Sequence, residues 1–375
     1  MAGVRGRSVV AAAIAAIAMV LAACGPPGSV LPPPYIVATT LPPGQQPVGE
    51  DVYAHTRAGD IAPALVGIPT RVYVPNSESN TVDVIDPATF EIVDHFDVGR
   101  QPQHITPSWD MTTLYVDNTR GHSLTPIDPR TGKPGAPILV EDPYNLYFTP
   151  DGTKAVVVAE ELRRLDFRDP KTWQLIKSLP IPHTGADHAD FSADGKTMVI
   201  SCEFSGWLVR VDVESMTVTG ELHVGGQPID VKLGSDGQRY FVADQERGGV
   251  AIVDAAAFEE RAFVPTGAGA HGLYPSRDGR SLYVSNRKAG SVSVLDFATG
   301  KEMTTWHIGG SPDMGGVSAD GRQLWLAGRY DSAVYVIDTE TGQLIRRIEV
   351  GKGPHGLALF PQPGRYSLGH TGVYR

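Results

Sequence analysis

Short runs of alternating hydrophobic and polar residues recur along most of the chain. Val82-Asp83-Val84 and Val292-Ser293-Val294 are two such runs. Alternation with a period of two is typical of a β-strand with one buried face. Aspartate–glycine pairs such as Asp278-Gly279 separate the runs and favour hairpin turns, because glycine accepts a positive φ. No run of useful length repeats with the helical period of 3.6 residues, so the pattern predicts an all-β fold.

The strand pattern repeats seven times from Val72 onward. The residue that opens the second strand of each unit recurs every 41 to 43 residues, and these residues are Tyr73, Tyr115, Val156, Val199, Phe241, Tyr283 and Trp325. An aspartate closes the next strand of each unit, at Asp86, Asp128, Asp166, Asp212, Asp254, Asp296 and Asp338. Seven units of short strands at this period predict a seven-bladed β-propeller with four-stranded antiparallel blades.

The first unit lacks an innermost strand of its own, whereas the chain carries one after the last unit. Residues 353–360 match the innermost strand of other units, such as residues 269–273. Pairing this strand with the first unit would join the two ends of the ring and leave no open sheet edge there. We therefore predict that Pro354 to Phe360 completes the first blade, that the propeller spans residues 67–361, and that residues 362–375 form a C-terminal tail.

Residues 1–23 have the features of a secretory signal peptide. Arg5 and Arg7 precede an apolar run that is shorter than the roughly 20 residues of a membrane span. Leu21-Ala22-Ala23-Cys24-Gly25 resembles the bacterial lipobox, which implies cleavage before Cys24 and acylation of its sulfur, for example by palmitate. Prolines between residues 24 and 66 favour extended structure, so this segment is predicted to be a tether. The expected location is the extracytoplasmic face of a cell membrane.

Charge and cysteine content narrow the classes of function. Cleavage before Cys24 removes two arginines and leaves 30 basic against 42 acidic residues. This acidic excess argues against binding to nucleic-acid phosphates. Cys202 is the only other cysteine, so an acylated Cys24 leaves no intrachain disulfide, and the fold must depend on a large core. We expect a monomer that is attached to the membrane through its lipid.

Three segments carry a resemblance to a known family. Residues 73–76 (Tyr-Val-Pro-Asn), 115–118 (Tyr-Val-Asp-Asn) and 283–286 (Tyr-Val-Ser-Asn) resemble the Tyr-Val-Thr-Asn repeat, and Val-Gly-x-x-Pro recurs at residues 98–102 and 350–354. The resemblance covers residues 72–360 and implies a seven-bladed propeller of the YVTN-repeat family. That family includes surface-layer proteins, periplasmic proteins and relatives of the propeller that holds haem d1, so the resemblance implies a fold and no single function.

The starts of the innermost strands are predicted to meet at one mouth of the propeller channel. His104, His188, His271 and His355 all lie there, four of the 11 histidines of the chain. Imidazoles and carboxylates that converge on one mouth are able to bind a divalent metal or to act as acid and base. The alternative is that they only satisfy turn amides and water. The candidate ligand-binding residues are His104, Asp187, His188, Asp230, His271, Asp313 and His355.

An irregularity in the repeat marks a second candidate. The segment leading into the fourth blade is longer than in other units and contains His183 and His188, and Cys202 is predicted on the strand beside His188. Imidazole and thiolate suit a soft metal ion, so His183, His188 and Cys202 form a candidate metal site. The alternative for Cys202 is a small hydrophobic residue in the core.

Three functions remain open at this stage. The sequence has no nucleophile-elbow, zinc-protease, CxxC or phosphate-loop motif, which favours a binding or scaffold module over an enzyme. Such a module would engage a protein, a cell-envelope component or a small ligand at the propeller top. A lyase or oxidoreductase would use His271, His355 or Asp313 together with a cofactor. A divalent metal is favoured over a haem-like group as that cofactor. The third function is plain metal binding.

Ring closure by the C-terminal strand is testable by truncation. Removal of residues 354–375 is expected to unfold the domain, because the first blade loses its innermost strand and the ring opens. Thermal unfolding followed by circular dichroism measures this. A truncated chain that still melts cooperatively at the wild-type temperature would contradict the predicted closure.

Overall fold

The computed structural model describes residues 51–375, and almost all regular structure in this part of the chain is β-strand. The strands form seven antiparallel sheets, one for each sequence unit, which are the blades of a propeller. The predicted all-β, seven-bladed fold with four-stranded blades is therefore confirmed. Residues 1–50, which include the predicted signal peptide and Cys24, lie outside the described part. Within residues 51–375, none of the helices has the length and apolar character needed to cross a bilayer.

The strands are numbered along the chain, and their bounds follow the predicted units. Blades 1 to 3 contain β1 (Arg71–Asn76), β2 (Thr81–Asp86), β3 (Glu91–Asp97); β4 (Pro102–Pro107), β5 (Leu114–Asn118), β6 (Ser123–Asp128), β7 (Lys133–Pro134), β8 (Ile138–Leu139); and β9 (Asn145–Phe148), β10 (Ala155–Ala159), β11 (Arg164–Arg168), β12 (Leu175–Pro180).

Blades 4 to 7 have four strands each. Their bounds are β13 (Ala186–Phe191), β14 (Thr197–Cys202), β15 (Trp207–Asp212), β16 (Thr217–His223); β17 (Pro228–Leu233), β18 (Arg239–Asp244), β19 (Gly249–Asp254), β20 (Glu259–Pro265); β21 (Ala270–Pro275), β22 (Ser281–Asn286), β23 (Ser291–Asp296), β24 (Glu302–His307); and β25 (Pro312–Val317), β26 (Gln323–Gly328), β27 (Ala333–Asp338), β28 (Leu344–Glu349).

The C-terminal residues add three short strands to these sheets. They are β29 (Ala358–Phe360), β30 (Ser367–Gly369) and β31 (Val373–Tyr374). Three 3-10 helices complete the regular structure, at Pro63–Leu65, Thr119–Gly121 and His370–Gly372.

Burial falls from the axis of the propeller to its rim. All six residues of the innermost strand β17 are buried, whereas the residues of the outermost strand β16 alternate between exposed and partly exposed. Inner strands are covered on both faces by the neighbouring blades, and their side chains form apolar layers between sheets. The alternating runs at residues 82–84 and 292–294 lie in β2 and β23, where even the polar residues Asp83 and Ser293 are buried, so alternation in these strands does not mark a solvent-exposed face.

The asparagine that ends the second strand in three units has a structural task. The amide nitrogen of Asn76 donates to Thr81 Oγ1 (3.1 Å) and to the carboxylate of Asp83 (2.9 Å). Asn286 bonds the hydroxyls of Ser291 and Ser293 in the same way. Each asparagine thus links its strand to the start of the next strand across a tight turn, which explains why polar residues recur five and seven positions further along.

The first blade is closed by the C-terminal strand, as the sequence predicts. β29 pairs antiparallel with β1, with Val72 opposite Leu359 and Tyr73 opposite Ala358. The sheet order is β29-β1-β2-β3, so a strand from the end of the chain is the innermost strand of the first sheet. Further backbone hydrogen bonds run from His355 to Pro75 and from Ser77 to Gly353.

The chain after β29 continues into the propeller instead of leaving it. β30 pairs with β9 and β31 pairs with β30, so blade 3 gains two strands. At the end of this segment Arg375 is buried, and Nη2 lies 2.7 and 2.9 Å from the two carboxylate oxygens of Asp190. The Arg375 guanidinium also covers the ring of Tyr53 at 4.6 Å. The domain bounds 24–66, 67–361 and 362–375 remain predictions, but residues on both sides of the central range contribute buried contacts.

The ion pair between Arg375 and Asp190 is expected to be important for stability. Replacing Arg375 with Gln leaves the Asp190 carboxylate buried without its cation, which should lower the free energy of unfolding by about 3–5 kcal/mol. Arg365→Gln is the matched control, because Arg365 is exposed and should change it by less than about 1 kcal/mol. Urea titration of both variants measures the difference, and equal stabilities would refute this role.

Candidate functional site

Five innermost strands share a shift in their pairing register, which turns polar side chains toward the channel. In β4 the pairing with β5 jumps from Pro102–Asn118 to Ile105–Val116, so β4 contains one residue more than its partner. The same shift occurs in β13, β17, β21 and β25. An extra residue of this kind is a β-bulge, which turns side chains out of the normal alternation. The residues inside the five bulges are Gln103, His104, Asp187, His188, Ile229, Asp230, His271, Gly272, Asp313 and Met314.

The bulges bring six of the candidate ligand-binding residues of the sequence to one region, and the segment before β29 adds His355. His104, Asp187, His188, Asp230, His271, Asp313 and His355 are all at least 96 % buried. The ring centroid of His104 lies 5.2 Å from that of His188 and 4.9 Å from that of His355. The residues predicted at the channel mouth therefore form a cluster of buried imidazoles and carboxylates around the propeller axis.

Three imidazoles form a group that suits a metal ion. His104, His188 and His370 each offer a nitrogen, and the three nitrogens lie within 4.8 Å of one another. The ring of His370 is 4.3 Å from that of His188 and 5.3 Å from that of His104, measured between centroids. Within residues 51–375 this is the one group of three or more histidine, cysteine or acidic residues with such spacing.

Neighbouring groups orient the three rings. Nδ1 of His104 donates to the carbonyl oxygen of Tyr144 at 2.9 Å, and Nδ1 of His370 lies 3.1 Å from Oδ1 of Asn145. Nε2 of His104 and both nitrogens of His188 are buried and make no hydrogen bond of normal geometry in the described chain, although Asp187 Oδ1 is 2.7 Å from Nδ1 of His188. A metal-binding histidine uses one nitrogen for the ion and anchors the other in this way.

Burial keeps the three imidazoles in the form that metals bind. It lowers the pKa of His188 to about 4. Burial and the proximity of other imidazoles also hold the pKa of His104 and His370 well below the usual range. At neutral pH the rings are therefore uncharged, and neutral imidazole is the metal ligand.

A second group lies beside the first and is centred on the carboxylate of Asp313. The carboxylate of Asp313 is 3.0 Å from Nδ1 of His271 and 2.9 Å from Nδ1 of His355, and Arg287 Nη1 is 3.6 Å away. Burial opposes ionisation of Asp313, but the Arg287 guanidinium and the His271 imidazole outweigh it and lower the pKa of this carboxyl. Burial holds the pKa of His271 and His355 well below the usual range, so the candidate catalytic residues His271, His355 and Asp313 form one cluster in which two neutral imidazoles contact a carboxylate.

One ring of residues at the channel mouth was missed in the sequence. It consists of the residues that follow the second strand of each unit: Ser77, Thr119, Glu160, Glu203, Gln245, Arg287 and Arg329. Gln245 links Glu203 to Arg287 through hydrogen bonds of 2.7 and 2.9 Å. Burial and the carboxylate of Asp187 raise the pKa of Glu160 and Glu203 to about 8 each. Their constant position after the Tyr-Val-x-Asn strand was the signal that could have identified them.

The metal site predicted from the lengthened segment is wrong. His183 stacks on Trp207 with ring centroids 4.3 Å apart, and its Nε2 lies 2.8 Å from Glu221. Cys202 is fully buried in an apolar cluster, and burial raises the pKa of its thiol to about 12. His183 and Cys202 therefore do not join His188, because the adjacent strands place them against the rim and the core.

His370 was absent from the sequence candidates. It lies in the segment 362–375, which has no repeat pattern and was treated as a tail. Only the pairing of β30 with β9 brings this residue to the axis. No local motif around His370 signals this position, so the third imidazole of the group was not accessible from the sequence.

Comparisons with known proteins agree with the fold. A family model described as YNCE-like beta-propeller matches residues 53–363. No curated protein matches the chain significantly. Among solved structures, a functionally unknown protein from Desulfotomaculum acetoxidans DSM 771 is similar with 17 % identity and a TM-score of 0.68, over 77 % of this chain and 98 % of that chain.

Two enzymes share the architecture at low identity. Hydrazine synthase of Kuenenia stuttgartiensis matches with 21 % identity and a TM-score of 0.60, over 68 % of this chain and 88 % of that chain. Dihydro-heme d1 dehydrogenase NirN, in complex with DHE, matches with 17 % identity and a TM-score of 0.60, over 77 % and 75 % of the two chains. Likenesses at this level of identity establish a common fold and leave the function to be argued from the site.

Proposed function

The chain belongs to the YncE-like β-propeller family, and from this premise we propose that it is a lipid-anchored extracytoplasmic binding module that takes up a divalent transition-metal ion. The ion would be held in the channel by His104, His188 and His370. The observation that carries the proposal is the convergence of three buried, neutral imidazoles whose nitrogens lie within 4.8 Å of one another.

The donor set selects the class of metal. Three nitrogen ligands without a thiolate favour zinc, copper or nickel over magnesium and calcium, which prefer oxygen. Three protein ligands also leave a coordination position for water or another molecule, as in open zinc sites. Asp187 beside His188 and the Tyr144 carbonyl beside His104 would fix the rings, as outer groups do in metal sites.

The proposed location is supported by the sequence before the propeller. A lipid on Cys24 and the proline-rich segment that follows it would hold the domain close to the membrane while leaving its channel accessible. After cleavage the chain has 42 acidic and 30 basic residues. This negative net charge favours attraction of cations rather than anions to the surface.

Metal binding is tested by competition titration. The mature protein, extracted in detergent and stripped of metal, is expected to bind one equivalent of Zn²⁺ against a chromophoric chelator. His188→Ala and His370→Ala should each weaken binding by more than about 100-fold, because each removes a ligand and leaves two. His183→Ala is the control and should bind as the wild type does. Absence of stoichiometric binding, or equal affinity in all four proteins, would exclude the channel site.

Lipid attachment is tested by labelling cells with an alkyne analogue of palmitate. The wild-type protein and Cys202→Ser are expected to incorporate the label, whereas Cys24→Ser is not, since it lacks the sulfur to which the acyl chain attaches. Detection of label on immunopurified protein gives the result. Label on Cys24→Ser, or none on the wild type, would remove the anchor from the proposal.

A further inference from the structure

A separate cavity lies at the carboxyl ends of the innermost strands of blades 5, 6 and 7. It has a volume of about 60 Å³ and is partly open to solvent. Strands β17, β21 and β25 form its walls, and residues of both terminal segments also line it, among them Tyr53 and Tyr374. The bulges that carry the imidazoles are in the amino-terminal halves of the same strands. Asp230, in the bulge of β17, lines the cavity and lies 3.9 Å from Nε2 of His370, so the cavity adjoins the imidazole group. The cavity volume is enough for the anionic end of a small ligand, and the rest of the ligand would lie in the opening.

A buried ammonium group lines this cavity. Lys232 is 4 % exposed, and within the described chain its ion-pair partner is Asp230, with Nζ 3.8 Å from Oδ1. That distance is too long for a hydrogen bond. The ammonium lies at the cavity wall, and an anion inside the cavity would give it a charge-assisted hydrogen bond. The lysine is thus placed to bind a negative group.

Two further polar groups support an anionic ligand. The hydroxyl of Tyr374 is buried and has no hydrogen-bond partner in the described residues. Arg277, also in the lining, donates to the carbonyl oxygens of Val317 and Ser318, which fixes its guanidinium in place. Lys232 and Arg277 together outweigh the single negative charge of Asp230, so the cavity carries a net positive charge.

The remaining walls are apolar. Leu273, Val317, Leu359 and Val373 line the cavity beside the charged groups. An inorganic anion would leave these side chains without a partner, whereas an organic anion would cover them. We propose that this cavity is a binding site for a small organic carboxylate, whose carboxylate group pairs with Lys232 and bonds Tyr374 while its hydrocarbon part contacts Leu273 and Leu359.

Binding is tested by isothermal titration of the metal-free mature protein in detergent. The probes are isovalerate and benzoate, with benzamide as the uncharged match for benzoate. Benzoate or isovalerate is expected to bind with a dissociation constant in the millimolar range or below, and benzamide at least ten-fold more weakly. Absence of binding by both carboxylates up to 20 mM, or equal binding of benzoate and benzamide, would overturn the proposal.

Two variants locate the binding. Lys232→Met removes the charge while it keeps the length of the side chain, and it should weaken benzoate at least ten-fold. Gly316→Leu should block the cavity without touching its charges, because a Cβ at Gly316 meets only Leu359 Cδ1, at 3.5 Å. Lys171→Met, at an exposed position, is the control. Benzoate binding that survives both cavity variants would show that the site is elsewhere.

One more variant separates this site from the proposed metal site. His188→Ala should leave benzoate binding unchanged, since His188 is not part of the cavity lining. If His188→Ala loses zinc binding but still binds benzoate, the result supports a carboxylate site that does not depend on the metal site. Loss of benzoate binding in His188→Ala would contradict the independence of the two sites.

Discussion

Ring closure is the constraint on which the rest of this molecule depends. A propeller of seven sheets is closed only if the last sheet meets the first, and an open ring exposes strand edges. Here a three-residue strand, β29, pairs with β1 and makes the first blade complete. Because β29 is the innermost strand, closure brings the chain to the axis of the propeller, and the residues that follow it enter the channel region instead of leaving along the rim.

The candidate site is a consequence of this path. The repeat alone provides His104 and His188, because each innermost strand has a bulge that turns its polar residues toward the axis. The third imidazole, His370, is provided by the segment that follows the closing strand and pairs with blade 3. Arg375 then ties the same segment to Asp190 in blade 4. Folding of the ring and assembly of the imidazole group are therefore coupled.

The sequence predicts those parts of the structure that are formed by residues recurring at the repeat period. Tyr73, Tyr283 and the aspartates that close each third strand recur at one period, so strand number, blade number and the pairing of residues near 358 were all predictable. His104 and His188 were found for the same reason. Glu203 and Arg287 have equally regular positions, but their contacts depend on how loops of neighbouring blades meet.

The errors have physical causes of their own. His183 and Cys202 are near His188 in sequence or across a strand, yet one stacks on Trp207 and the other packs in the core. Proximity along a sheet does not fix which face a side chain takes when a bulge intervenes. His370 and Lys232 could not be assigned a role. Non-periodic pairing positions His370, and the cavity that Lys232 lines is completed by segments from both ends of the described chain.

Anomalous diffraction from crystals of the protein grown with Zn²⁺ tests the central claim most directly. The account predicts one strong peak on the propeller axis, about 2.0–2.1 Å from a nitrogen of each of His104, His188 and His370. A channel without a peak in crystals that carry zinc elsewhere, for example between His183 and Glu221, would contradict it.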